Sequence, residues 1–309
     1  MTMVGKTGQL GTITEGSRAL DLFTDRGELL RLFCLRLHAE PPEERILFFY
    51  GAGGNGKSLL LRYLRERVCK RLRPEDWEWV RAIPDDERFQ QHIEQAADAT
   101  PVPWTWLDFG APSQGESRPR EPFYALLMLH RQLVTHNLRF PLYDFAVLWY
   151  LHKTEGLTPE RLQSLFPAET LDLVDALTQI ITGVGWVGVG KAVLSLFDRH
   201  LGERFTLYQH RRRLRPEDVQ AIQRLEPEPE LRDALPDLFA RDLNTAMRLP
   251  GAPRRLVLFF DTHEALWGEE RHLSDHAFFA RDEWLRRLLG HLELETGIVP
   301  VVAGRDRPR

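Results

Sequence analysis

The chain has 309 residues, 43% of them hydrophobic, so it can build one large domain or two ordinary ones around a substantial core. Its 41 Lys and Arg against 45 Asp and Glu leave a formal charge of −4, which removes the electrostatic case for a nucleic-acid or membrane-surface protein. The 2 cysteines, Cys34 and Cys69, fall in amphipathic helical patterns. Neither a disulfide framework nor a zinc site is suggested, and a reducing cytoplasm is the expected compartment.

Residues 1–25 are read as a lead segment, with no apolar stretch of signal-peptide length in "MTMVGKTGQLGTITEG". Next, "RGELLRLFCLRLHA" (26–39) places Leu29, Leu30, Phe33 and Leu37 on one helical face, and Pro41 and Pro42 stop the helix. "RILFFY" is a continuous apolar run of strand length, as expected of a strand covered on both faces in a parallel sheet. The glycine-rich "GAGGNGKS" (51–58) follows it, and a helix is expected from about Lys57 to Arg71. "VPWTWLDFG" (102–110) predicts a second strand that ends in a Gly-Ala-Pro turn.

From Glu121 to about Met247 the pattern is almost wholly helical and broken by prolines, which reads as a helical insertion over about 121–250. Within it, the uncharged run from Ala176 to Gly190 falls short of the roughly 18 apolar residues of a membrane span and predicts a buried helix interrupted by glycine. Strand character returns in "RRLVLFFD" (254–261), then a helix at 282–293, then a last strand in "GIVPVVAGR" (297–305). The expected fold over 26–309 is α/β, a mainly parallel sheet with helices on both faces.

The segment Gly51 to Ser58 fulfils G-x-x-x-x-G-K-[ST], between a strand and a helix as that motif requires. Glycines let backbone N–H groups point inward at phosphate oxygens, and the helix that follows adds its positive end. Gly51, Ala52, Gly53, Gly54, Asn55, Gly56, Lys57, Ser58 and Leu59 are therefore the candidate nucleotide-binding residues, with Lys57 on the terminal phosphates and Ser58 on Mg²⁺. Asp261, after five consecutive apolar residues, is the candidate metal carboxylate of the Walker B type, the alternative being an N-cap for "THEALW".

Glu264 lies three residues on, where its carboxylate can orient a water at the γ-phosphate or cap a helix. His263 is read as a surface or supporting histidine rather than a base. Arg305, after Gly304 at the end of an apolar strand, reaches the γ-phosphate if that strand lies between the other two; Pro300 argues for a strand that begins there. "GVGWVG" spells G-x-G-x-x-G at Gly183, Gly185 and Gly188, but it follows a helical pattern and so lacks the context of a dinucleotide site. The "RRRLR" run at 211–215 reads as a solvated helix face.

Taken together, "FTDR" (23–26), "GAGGNGKS", "WTWLDFG", "LVLFFDTHEALW", "RDEWLRRLL" and "VVAGR" resemble the bacterial STAND NTPases, signal-transduction relatives of the AAA+ ATPases. The resemblance implies a P-loop fold and a nucleotide switch: ADP exchanged for ATP, slow hydrolysis, self-association through the NTPase module, and a lid, winged helix and repeat sensor beyond this stretch. It implies Lys57 and Ser58 on phosphate and Mg²⁺, Asp261 as Walker B, Glu264 as the acidic residue after it, and Arg305 on the sensor strand. Phe23 to Arg26 would pass the adenine. A motor-type AAA+ ATPase and a non-hydrolysing scaffold are the rival readings, and no base-specific motif selects ATP over GTP. With no fifth strand in these residues, "RILFFY" is expected at an open sheet edge.

Overall fold

The computed structural model describes residues 20, 26–115, 117–154, 215–268 and 275–305. The glycines of "GVGWVG", the uncharged run around them, positions 211–214 and Phe23 to Asp25 lie outside the described residues.

The elements begin with α1 (Gly27–His38), β1 (Leu47–Tyr50) and α2 (Lys57–Tyr63), the last extended by a π-helical turn at Leu64–Val68. Then come β2 (Lys70–Arg71), α3 (Pro74–Arg81), α4 (Asp86–Gln95), β3 (Thr100–Pro101) and β4 (Trp104–Asp108). The helices α5 (Pro122–Val134), α6 (Pro141–Thr154), α7 (Pro216–Arg224) and α8 (Arg232–Met247) are the described part of the expected insertion. The chain returns through β5 (Leu256–Asp261), α9 (Asp275–His291) and β6 (Ile298–Gly304).

Four strands form one sheet in the order β1-β6-β5-β4, all parallel. The period of 2 along each strand sorts its apolar residues between two cores. Val257, Phe259, Val299, Val301 and Ala303 face the layer of α1 to α4, where Leu30, Phe33, Leu60 and Phe89 are buried. Leu256, Leu258, Phe260, Ile298 and Val302 face the other layer, built from α5, α6, α8 and α9. With every residue of β5 and β6 buried, these two are the central strands.

The two edges of the sheet differ. At β4, the Gln132 side chain accepts the Trp106 N–H at 2.7 Å and donates to the Trp106 carbonyl at 3.0 Å, so an amide on α5 completes the ladder in place of a strand. At β1, no strand pairs with the outer side among the described residues, and Tyr50 is 55% exposed. The helical layer is tied by buried polar contacts. Asp242 of α8 accepts the Tyr143 N–H at 2.8 Å in the first turn of α6, and His130 of α5 meets Asp144 at 2.8 Å.

Three local readings are corrected. The helix after the glycine-rich loop does not reach Arg71: Cys69 leaves helical geometry, and Lys70 and Arg71 pair antiparallel with Thr100 and Pro101. The helix expected at 282–293 starts earlier, at Asp275, with Asp282 inside it bonded to Arg286 one turn on. The last strand does not begin at Pro300, which pairs with Leu258 in the middle of the sheet. Because the Gly297 carbonyl accepts from Leu256 on β5, alternation turns the imide nitrogen of Pro300 toward β1, whose pairing starts only at Leu47 opposite Val301. No ladder bond is lost there.

Candidate functional site

The carboxyl ends of all four strands open into a pocket of about 460 Å³. In an open parallel sheet this is where ligands bind, because loops leaving adjacent strands there part to either side. The wall combines loop residues Gly53 to Leu59 with Asp108, Asp261, Glu264 and Arg305. The residues predicted for phosphate, metal and water, other than Gly51 and Ala52 at the root of the loop, thus line one pocket, whereas Arg26, predicted near the base, does not.

The loop is held by its own side chains. Lys57 donates to the Gly51 carbonyl at 2.6 Å and to the Ala52 carbonyl at 2.9 Å, which occupies two of the three N–H groups of its ammonium. Gly56 enters α2 at φ 72°, a left-handed conformation that costs a side-chain-bearing residue about 1–2 kcal/mol. Gly53 lets the Arg305 guanidinium come close: a Cβ there would lie 3.2 Å from its central carbon. On the outer side Arg26 donates to the Asn55 carbonyl at 2.7 Å, so this member of "FTDR" buttresses the loop tip.

Ser58, in the first turn of α2, shares the pocket wall with Asp261 at the end of β5, near enough for its hydroxyl to act on the Asp261 carboxyl. Asp261 also accepts the Thr262 N–H at 2.8 Å and is only 3% exposed. Burial pushes its carboxyl up to about 6, the Ser58 hydroxyl opposes that rise, and the nearby charges of Asp108 and Glu264 add to it. Among the described residues Asp261 makes no N-cap bond to a helix interior; its turn contact is with the adjacent Thr262 N–H.

Thr262 sits at φ 56°, an unusual place for a β-branched residue, and turns the chain from β5 into a 3₁₀ turn at His263–Leu266. That turn carries Glu264 to the end of β6. Glu264 Oε2 accepts the Arg305 backbone N–H at 3.0 Å, and Oε1 meets Arg305 Nε at 3.0 Å. Its carboxylate therefore bonds across the sheet to the neighbouring strand end and caps no helix. His263 is buried, a departure from the surface position allowed for it. Its ring packs edgewise on Phe48, Phe109 and Trp267, and Nε2 lies 3.3 Å from Asp282 of α9. Burial alone would raise the Asp282 carboxyl, but hydrogen bonds from His263 and Arg286 hold it below the usual carboxylate value.

Two contributors escaped sequence reasoning. Asp108 stands opposite Asp261 on the adjacent strand and accepts the Gly110 N–H at 2.8 Å, closing a tight turn at the pocket wall. Its signal was available, since "WTWLD" ends in an acid after a strand just as "LVLFFD" does. The other is an aromatic and basic wall beside it, where the Arg65 guanidinium lies 5.0 Å above the Trp104 ring and 4.8 Å above Trp106.

No protein-family model, curated protein or solved structure matches the chain. Among the described residues no helix is long and apolar enough to cross a membrane.

Proposed function

We propose that the chain binds Mg-ATP in the pocket at the strand ends, hydrolyses it slowly, and serves as the P-loop nucleotide switch of a STAND-type signalling protein. The observation that carries this reading is the meeting of Ser58 and Asp261 in one pocket, which joins the glycine-rich loop to a strand-end carboxylate far away in sequence. A hydroxyl and a carboxylate so placed are the oxygen donors that a hard cation takes from a protein when nucleotide phosphates supply the others. Among the described residues no group of three or more His, Cys, Asp and Glu could hold a metal ion. Bound there, Mg²⁺ would neutralise phosphate charge and draw Asp261 into its ionised form.

The chain's own groups divide the rest of the work. Backbone N–H groups of residues 53–58 and the Lys57 ammonium bind the phosphate oxygens. Arg305, 54% exposed and beside Gly53, meets the terminal phosphate, and Glu264 is the carboxylate in reach of an attacking water. Pairing of Glu264 with Arg305 favours a slow switch over a motor, because the pair must part before the carboxylate can turn to a water.

Turnover tests the reading. Purified chain with Mg-ATP is expected to bind the nucleotide and hydrolyse it on the order of 10⁻³ s⁻¹, as unassisted switches do. Turnover at several per second would make it a motor. Binding without hydrolysis would make it a scaffold, and no binding at all would end the proposal.

A further inference from the structure

We infer that His263 is a positioning residue for Glu264, and that its contact with Asp282 on α9 fixes where the turn after β5 presents the Glu264 carboxylate. The inference rests on the nucleotide-binding reading and adds to it the side chains, behind the pocket wall, that keep Glu264 in reach of a water.

The turn is a short one, entered under strain. Thr262 leads into it at φ 56°, a left-handed conformation that a β-branched residue resists, and the turn itself has only 4 residues. Contacts from elsewhere therefore decide where it rests. Glu264 lines the pocket, whereas His263 is buried and does not. Both stand against the end of β6, where a Cβ at Gly304 would lie 3.2 Å from the His263 Cβ and 3.6 Å from Glu264 Oε2. A shift of the histidine thus carries the glutamate with it.

The imidazole is held in direction as well as in place. Phe48 of β1, Phe109 just beyond β4 and Trp267 meet its ring edgewise, at interplanar angles of 86°, 70° and 80°. Within that box Nε2 lies 3.3 Å from Asp282 Oδ2, and among the described residues the buried Nδ1 has no hydrogen-bond partner. Asp282 is only 2% exposed, and its other carboxyl oxygen accepts Arg286 Nε–H at 2.9 Å, one turn along α9. Polar contacts run in this way from α9 through the core to the back of the Glu264 turn. Packing does not account for them, since a phenylalanine would fill the aromatic box without bringing a carboxylate into the interior. What the pair adds is a fixed orientation for the turn.

Substitutions at His263 separate the donor from the shape. His263→Phe keeps a ring in the box and removes the donor; His263→Gln carries an amide N–H about as far from the backbone as Nε2. Steady-state hydrolysis of Mg-ATP by the whole chain would give kcat and KM for wild type and both variants. A displacement of roughly 1 Å at a reacting group costs up to about a hundredfold, so His263→Phe is expected to lower kcat about tenfold or more with KM unchanged. His263→Gln should recover most of that loss. A second readout needs no nucleotide. In the NMR spectrum of the empty chain with isotope-labelled histidine, the His263 hydrogen should sit on Nε2 and exchange slowly with solvent, in a signal that His263→Gln removes.

Equal loss of kcat in the two variants, or an unchanged kcat in His263→Phe, would make His263 a packing residue and overturn the inference. So would a rise in KM with kcat kept, which would place its effect on binding. A wild-type hydrogen on Nδ1, or one in fast exchange, would overturn it too, whether or not His263→Phe folds. If wild type binds Mg-ATP without hydrolysing it, the positioning role falls and the nucleotide site stands. If wild type binds none, both fall.

Discussion

Replacing Asp261 by Asn should stabilise the empty protein, and by an amount that depends on pH in a defined window. The Asp261 carboxyl titrates near 6 in the fold rather than near 3.8, chiefly because it is buried. Ionising it within the native state therefore costs about 3 kcal/mol more than ionising it in the unfolded chain. With the native value raised, the contribution to stability is fully present below about 3.8 and is lost as pH rises through 6. At pH 5 roughly half of the cost is already in place, and by pH 8 all of it is. The amide that replaces the carboxyl carries no charge at any pH and can still accept the Ser58 hydroxyl. In urea unfolding with EDTA, the advantage of Asp261→Asn over wild type should grow by about 1.5 kcal/mol between pH 5 and pH 8. Other titrating groups are common to both proteins and cancel in the difference. An advantage that is constant or shrinks over this range would refute the assignment of a buried carboxylate with a raised titration to this position.

Thr262 holds a left-handed conformation next to that carboxyl, so Thr262→Gly should raise stability by up to about 1 kcal/mol despite the added chain entropy; a fall in Tm would show the conformation to be unstrained. Gln132→Ala strands the Trp106 N–H and carbonyl at the β4 edge, and a loss of about 2 kcal/mol in urea unfolding is expected, with no loss meaning that water replaces the amide. Burial pushes the thiols of Cys34 and Cys69 far above their ordinary range, so a thiol reagent should label neither in native protein and both in denaturant; rapid native labelling would contradict the packing of α1 on the sheet.

The parts legible in sequence are those fixed by local chemistry. "LVLFFD" and "VVAG" read as strands from their apolar runs, and the structure buries every residue of β5 and β6 as strands covered on both faces. The loop followed from its glycines and the Lys-Ser pair, and Asp261 from its place after an apolar strand. Contacts across the sheet were not legible. That Asp108 stands beside Asp261, or that Glu264 reaches Arg305, depends on strand order and register, which a one-residue slip would reverse. The π turn after α2 and the short pair of Lys70–Arg71 with Thr100–Pro101 were hidden because "RYLRERVCKRL" keeps helical periodicity past the point where tertiary pairing ends the helix. Pro300 misled because its rank in the ladder, which decides whether a missing N–H matters, is set by where β1 begins.

The central claim is that the glycine-rich loop binds nucleotide phosphate through Lys57. Calorimetric titration of Mg-ATP into wild type and Lys57→Ala tests it most directly, since the lysine already stands across the loop on the Gly51 and Ala52 carbonyls. Hydrogen bonds to charged groups contribute about 1.5–3 kcal/mol, so the variant should bind about tenfold more weakly or worse. Equal affinity in the two proteins, or heat from neither, would contradict the account.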